Sequence, residues 1–436
     1  MIEVHNPRNN DTIILNDEQE NLVRTVVREI HSGASLVQYA APAGCGKSLV
    51  LRAIVNELGL SDDEIIPMAY TGSASMIMRK NGFTTAKTCH SWIYAPKIEK
   101  QYDYESNKYI DRIKYTRRNL DRSQYKLCLI DEASMVPRDI RRDIEKNRIP
   151  VIACGDLDQL PPVNGDSAYL GHGTGVYRLT KIMRQKNMSS IILLSDMLRK
   201  GIIPPIGDYG DVLVIPYSML TKEQLINAEV VICGFNNTRD ILTNFIRSEL
   251  GYRTPLPCPG EKVVCRENNW DLCVCNGDEN VNLVNGLMGT CISNDGSISR
   301  MKGRNIFTMD FVPKMFPDFA FLDVPCDYTY FTSNFMERRG IREFERTHPK
   351  MRRFNKFEFG YAITTHMSQG NQYNSGIFLM EPFRSDQNKI NYTGITRFID
   401  HCIFVVPDSG NKCLPPPGLV RPLSKCVMYI NNQPQI

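Results

Sequence analysis

The sequence predicts an α/β protein built on parallel sheets with helices on both faces. Short apolar runs recur along the chain, and segments with apolar residues at helical spacing separate them. A glycine-rich loop also joins the first run to the helix behind it. With 436 residues, 42% apolar and 23% charged, the chain can bury several cores, so two to four domains are expected.

Asn16-Asp-Glu-Gln19 precedes Leu22, Val23, Val26, Val27 and Ile30, which predicts a capped helix ending near Gly33. The run Leu36 to Ala41 reads as a strand, Pro42 to Ser48 as a loop, and Leu49, Leu51, Ile54, Val55 and Leu58 as one face of a helix. Further buried strands are expected at Ile65 to Tyr70, Leu127 to Asp131 and Val151 to Gly155. Gly171 to Gly175 reads as a linker, after which the alternation resumes with Val230 to Phe235 and a helix from Thr238 to Leu250. From Pro255 the texture changes to short β-rich runs at Lys262 to Cys265, Val281 to Val284 and Thr290 to Ser293, as for a small β module inserted into the second α/β domain. The α/β texture returns at Phe359 to Thr365, Gly376 to Met380 and Cys402 to Val406, and a Pro-rich tail follows Cys413.

No stretch approaches the roughly 18 uncharged apolar residues of a spanning helix, and Met1 to Asn16 lacks the order of a signal peptide. An intracellular, cytoplasmic protein without membrane contact is expected. The 14 cysteines are scattered, several within expected core strands, which favours reduced thiols. Five of them (Cys258, Cys265, Cys273, Cys275 and Cys291) crowd the β module without zinc spacing, and ordinary buried thiols are expected there. The net charge of +4 is uneven: Lys97 to Lys126 holds nine Lys/Arg against five acids, and Glu337 to Lys356 eight against three. Such windows suit either a polyanion-binding surface or solvated faces.

A glycine loop between strand and helix offers backbone N–H groups and the positive helix end to phosphate oxygens. In Pro42-Ala43-Gly44-Cys45-Gly46-Lys47-Ser48, Lys47 can reach terminal phosphates and Ser48 can ligate Mg²⁺. Ala41 stands where the usual pattern has its first glycine, and an ordinary backbone conformation is expected of it. Asp131 and Glu132 end an apolar strand, where Asp131 can hold Mg²⁺ and Glu132 can polarise water. Loop and carboxylates together predict nucleotide hydrolysis.

In this order the motifs resemble those of superfamily 1 (subclass B) DNA helicases, closest in layout to the compact Dda helicases of tailed phages and to RecD-type enzymes. Gln19 resembles the adenine-reading glutamine, Pro42 to Ser48 motif I, Tyr70-Thr71-Gly72 motif Ia and Thr88-Cys-His90-Ser91 motif Ib. Asp131-Glu132 resembles motif II, and Gly155 to Pro162 motif III with Gln159 as γ-phosphate sensor. Leu179 to Arg184 resembles motif IV, Gly234-Phe-Asn236 the segment after it, Thr364-Thr365-His366-Met-Ser368-Gln-Gly370 motif V, and Tyr392 to Arg397 motif VI with its arginine finger. Cys45 stands where the family's loop commonly has threonine.

The resemblance implies two RecA-like P-loop domains with a small inserted hairpin region and an inserted SH3-like β module, with ATP and Mg²⁺ between the two domains. The first domain would span residues 1–178 with a pin-like insertion at 95–126, the second 179–256 and 358–436, and the β module 257–357. Catalysis would fall to Lys47, Asp131, Glu132, Gln159, Arg184 and Arg397, with Gln19, residues 42–48 and Gly370 on the nucleotide. Thr71, Thr88, His90, Asn236, Thr365, His366 and Ser368 would face nucleic acid, joined by Tyr102, Tyr104 and Tyr109 of the hairpin, whose rings can stack on bases. The implied activity is 5′ to 3′ translocation on single-stranded DNA with unwinding of fork DNA, by a monomer serving replication or recombination proteins. Two rivals stay open: a nucleic-acid-stimulated ATPase that remodels without unwinding, and an RNA helicase, since phosphate contacts read both polymers alike.

Overall fold

The computed structural model describes residues 2–5, 12–103, 108–162, 167–170, 175–181, 189–276, 279–301, 303–347 and 354–408. Arg184, Tyr104 and the Pro-rich tail lie outside these residues. The chain divides into two compact units, the first of Met1–Ile98 with Lys114–Met188, the second of Glu99–Ile113 with the chain from Ser189 onward.

In the first unit Leu36–Ala40, Val151–Gly155, Leu127–Asp131 and Ile65–Ala69 are successive neighbours in a six-stranded sheet, flanked by the short strands Val176–Arg178 and Lys87–Thr88. Every pairing is parallel. All five residues of Leu127–Asp131 are buried because both faces are covered. Leu127 and Leu129 enter one apolar cluster with Val23, Val26, Leu51 and Ile54; Cys128 and Ile130 enter the opposite one with Ile140 and Ile144. Each such side chain contributes roughly 1.5–3 kcal/mol by burial. The helix Asp17–His31 starts at a capping box, with Gln19 N donating to Asn16 Oδ1 at 3.0 Å and Asn16 N to Gln19 Oε1 at 3.1 Å.

The second unit repeats the scheme. Val212–Pro216, Phe398–Val406, Tyr373–Leu379, Val231–Cys233 and Ala362–Thr364 form a parallel run, with Gly207–Asp208 antiparallel at one edge. Helices Ser190–Arg199, Asn236–Glu249 and Gln387–Ile395 accompany it. Between its strands the chain builds an antiparallel sheet containing Ser299–Met301, Arg304–Pro313, Met288–Ser293, Lys262–Cys265 and Phe357–Phe359, with Phe321–Asp327 paired to Arg304–Pro313. The helix Phe335–Thr347 carries much of the second basic window.

Three local expectations are corrected. Phe359 to Thr365 is not one strand: Phe357–Phe359 joins the antiparallel sheet and Ala362–Thr364 the parallel one, with a break at Gly360 and Tyr361. The hairpin is longer than the tyrosine alternation suggests, with ten-residue strands Tyr94–Asp103 and Lys108–Arg117. Cys265 and Cys291 are buried as expected, but Cys273 and Cys275 are exposed, their sulfurs 3.9 Å apart. Among the described residues no helix is long and apolar enough to cross a membrane.

Candidate nucleotide site and motif residues

The parallel register brings three chain ends side by side. Ala40 pairs with Gly155 and Ala69 with Asp131, so the glycine loop, the Asp131-Glu132 pair and Asp156 all leave the carboxyl ends of neighbouring strands. Ligands of open parallel sheets bind at such ends.

Gly46 caps the helix Lys47–Glu57 with φ 78°, and Gly44 has φ 87°. Both lie in the left-handed region, where a side chain is strained. A Cβ on Gly46 would also come within 2.8 Å of Gln19 Nε2. Gln19, almost fully buried, donates from Nε2 to Cys45 O at 3.0 Å, so its amide braces the loop from behind. Ala41 keeps a negative-φ backbone and donates its N–H to Gly155 O at 2.9 Å, which explains how the loop dispenses with the usual glycine. Cys45 is buried, which pushes its thiol up to about 11.

Lys47 Nζ donates to Ala41 O at 3.2 Å. Burial disfavours its charge, yet Glu132, Asp156 and Asp131 outweigh that and hold its titration above the usual lysine value. Asp131 is shifted up by burial and by Glu132, against the pull of Lys47. Its Oδ1 accepts from Glu132 N at 2.8 Å and from Cys154 Sγ at 3.4 Å. Glu132 itself sits at φ 51°, strained for a glutamate. Its Oε2 and the Oε1 of Gln159 are buried without a hydrogen-bond partner among the described residues. Leaving such atoms unpaired costs free energy, so the pair marks a place built to receive polar groups. Left-handed glycines, a half-buried lysine and two oxygens orphaned among the described residues fit a nucleotide phosphate chain. The carboxylate of Asp131 and the hydroxyl of Ser48 are the hard oxygen donors that suit Mg²⁺.

Asp156, 1% exposed, is a contributor that sequence reasoning passed over. The same rule that picked out Asp131, a carboxylate just past a parallel strand, would have found it.

Several residues expected on nucleic acid hold their own backbone. Thr71 and Thr88 cap Gly72–Lys80 and Cys89–Ile93, accepting from Ala74 N at 3.2 Å and Ser91 N at 3.3 Å. Thr365 Oγ1 donates to Cys233 O at 3.2 Å and Ser368 Oγ to Thr365 O at 2.8 Å, both residues being buried. His90 is exposed, with ring centroids 6.2 Å from Tyr70 and 5.8 Å from Tyr94. Burial lowers the titration of His366, against the pull of Asp386. Asn236 opens its helix, and the preceding turn is fixed by Glu381, which accepts from Gly234 N at 2.6 Å, Phe235 N at 3.0 Å and Thr238 Oγ1 at 2.5 Å. Glu381, far along the sequence, had no local signal.

Arg397 is 4% exposed. Its guanidinium donates to Thr393 O at 3.1 Å and Asn371 O at 3.4 Å, and among the described residues it has no carboxylate partner. Gly370, at φ 77°, lies next to Asn371. The side chains of Tyr102 and Tyr109 lie outside the described residues, although their backbones belong to the hairpin strands.

Residues 14–212 match the family model of the AAA domain. Over 230 residues the chain is 28% identical to the ATP-dependent DNA helicase PIF1 of Candida albicans, covering 45% of this chain and 24% of that one. It is 30% identical over 166 residues to the ATP-dependent DNA helicase RRM3 of Saccharomyces cerevisiae, 35% of this chain and 21% of that one. The matched part thus spans about a quarter or less of these curated relatives. The crystal structure of Pif1 helicase from Candida albicans aligns with 96% of this chain and 100% of its own, at a TM-score of 0.52 and 18% identity. A structure of two coordinating Pif1 helicases, described for DNA unwinding at forked duplex DNA, gives 0.52 and 17% over 96% and 98% of the two chains. The chain therefore has the two-domain RecA-like fold seen in the solved Pif1 helicases.

Proposed function

We propose that the chain is an ATP-dependent DNA helicase that moves 5′ to 3′ on single-stranded DNA and separates duplex DNA at forks. The observation that carries this reading is the half-buried Lys47 among Glu132, Asp156 and Asp131, with oxygens on Glu132 and Gln159 that have no partner among the described residues. The helicase names of the two relatives and the fold of the forked-DNA structure support it.

In this mechanism the backbone N–H groups of residues 43–48 and Lys47 bind the phosphate chain of ATP. Mg²⁺, held by Ser48 and Asp131, would supply charge neutralisation at the phosphates. Glu132 orients the attacking water through its unpaired Oε2 and draws off its proton, while Gln159 senses the terminal phosphate through Oε1. Arg397 and Arg184 stabilise charge developing on the transferred phosphoryl group, an effect worth roughly 10³ to 10⁵ in rate in NTPases that use such arginines. Arg397 would exchange its carbonyl partners for phosphoryl oxygens. Gln19 and Gly370 belong to the nucleotide side, and Asn236, His90 and His366 to the DNA side. Thr71, Thr88, Thr365 and Ser368 would act chiefly by holding the backbone groups near the strand.

The same reading takes 1–178 and 179–256 with 358–436 as the RecA-like domains, 95–126 as the pin-bearing insertion and 257–357 as the SH3-like module. The antiparallel order of the strands from Lys262 to Phe359 supports that last assignment.

Strand displacement on duplexes with 5′ or 3′ single-stranded tails tests the proposal. Unwinding of the 5′-tailed substrate alone is expected. DNA-stimulated ATPase without displacement of either would point to the remodelling activity instead.

A further inference from the structure

The second unit holds a cavity of about 270 Å³ that belongs to none of the helicase motifs. Its walls bring together Arg239, Arg266, Arg338, Arg339 and Arg342 with Glu343 and Glu358, and counting Asp240, which pairs with Arg239, the cations outnumber the carboxylates five to three. The arginines come from separate stretches: Arg239 from the helix Asn236–Glu249, Arg266 from just after Lys262–Cys265, and three from the helix Phe335–Thr347.

One carboxylate organises the cluster. Glu358, 4% exposed, accepts on Oε1 from Arg266 Nε and Tyr330 Oη, both at 3.0 Å. Its Oε2 is paired with Arg239 Nη1 and Arg338 Nη1, both at 3.1 Å. Two oxygens with two donors each leave Glu358 no further capacity. Arg239 is additionally paired with Asp240 at 2.8 Å, and Arg338 donates to the carbonyls of Tyr330 and Phe331 at 3.2 Å. The remaining donors are in excess. The two terminal nitrogens of Arg266 and Nη1 of Arg342 have no acceptor among the described residues, and exposed Arg339 makes no ion pair there. A purely structural ion network would balance its charges, because surplus guanidinium groups brought together repel one another. Here the held forks of Arg266 and Arg342, with Arg339 beside them, line a space of small-ligand size, and planar guanidinium donors suit a phosphate oxyanion.

We propose that this cavity is a second anion site, distinct from the glycine loop, that binds a phosphate group through Arg266, Arg339 and Arg342, with Glu358 holding Arg266 and Tyr330 holding Arg342 in place. The phosphate can belong to a nucleic-acid backbone or to a free phosphate or nucleotide.

Calorimetric titration of the full chain with inorganic pyrophosphate tests this in a Lys47→Ala background, which removes the main cation of the glycine loop. Binding should persist there and weaken at least about tenfold with Arg339→Gln or Arg342→Gln, since each removes a charged hydrogen bond. Arg339 is exposed and has no ion pair among the described residues, so its variant should fold normally, and Arg339→Lys should recover part of the affinity. No pyrophosphate binding in the Lys47→Ala protein, or an affinity unchanged from that parent in both glutamine variants, would overturn the proposal. The salt dependence of single-stranded oligonucleotide binding then distinguishes the sources. A slope reduced by about 0.7 in Arg339→Gln supports a backbone phosphate, whereas an unchanged slope with weakened pyrophosphate binding supports a free phosphate.

Discussion

At the scale of single residues, the proposed roles separate binding from chemistry. Lys47 is half-buried among three carboxylates, which together favour its charged form. Lys47→Ala should lose ATP turnover mainly through lost phosphate contact, with a higher nucleotide Kd. Glu132→Gln keeps shape and burial but cannot accept a proton, so it should bind ATP with near-normal affinity and hydrolyse it at least about 10²-fold more slowly. Nucleotide titration beside steady-state ATPase rates checks both. An unimpaired rate in either variant would remove that residue from the mechanism. Lys47, Asp131 and Glu132 were legible because their spacing from strand ends is local in sequence. Asp156 obeyed the same rule unnoticed, and Glu381 was invisible because its partners Gly234, Phe235 and Thr238 are brought to it only by the fold.

At the scale of elements, the apolar runs foretold the parallel strands well, since burial on both faces writes an unbroken signal. The sequence failed where that signal was ambiguous: Phe359 to Thr365 is uncharged and mostly apolar yet crosses from one sheet to another. The helix Phe335–Thr347 was read only as a charge window, because its packing against the Glu358 cluster depends on residues distant in the chain. Packing also constrains motif VI. The helix Gln387–Ile395 lies so close to its sheet that a Cβ on Gly394 would stand 2.3–2.6 Å from three ring atoms of Phe378. That ring is itself buried and stacked on Phe404, with centroids 5.4 Å apart. Gly394→Ala must therefore displace the helix, at a cost of about 1–3 kcal/mol typical of overpacking. Thr393 and Thr396, which hold the Arg397 guanidinium, would move with it. Urea unfolding should show the lost stability, and ATPase assayed well below Tm should fall as well. A destabilised variant with a normal rate would detach Arg397 from hydrolysis.

At the scale of the whole molecule, parallel α/β architecture could be foreseen because the chain repeats a short strand and helix grammar, and its RecA-like character followed from the motif resemblance, while the extent of the hairpin could not be foreseen. Its ten-residue strands, Tyr94–Asp103 and Lys108–Arg117, carry too many charges and too little apolar alternation to announce themselves. That hairpin allows motor and splitter to be separated by experiment. Single-stranded DNA should stimulate the ATPase through the RecA-like units, which need nothing from the hairpin. Separating a duplex is another matter: each base-pair step costs roughly 1.4 kcal/mol of stacking on average, and something rigid must stand at the fork. Aromatic rings suit that role because they replace the stacking a base loses. Replacing Tyr102, Tyr104 and Tyr109 together by alanine should leave DNA-stimulated ATPase and single-strand translocation nearly intact while suppressing unwinding of a 5′-tailed duplex. If all three activities fall together, the hairpin belongs to the translocation track or to the fold. If none falls, these tyrosines are ordinary surface residues, and the splitting element lies elsewhere, with the antiparallel sheet between Lys262 and Phe359 the next place to mutate.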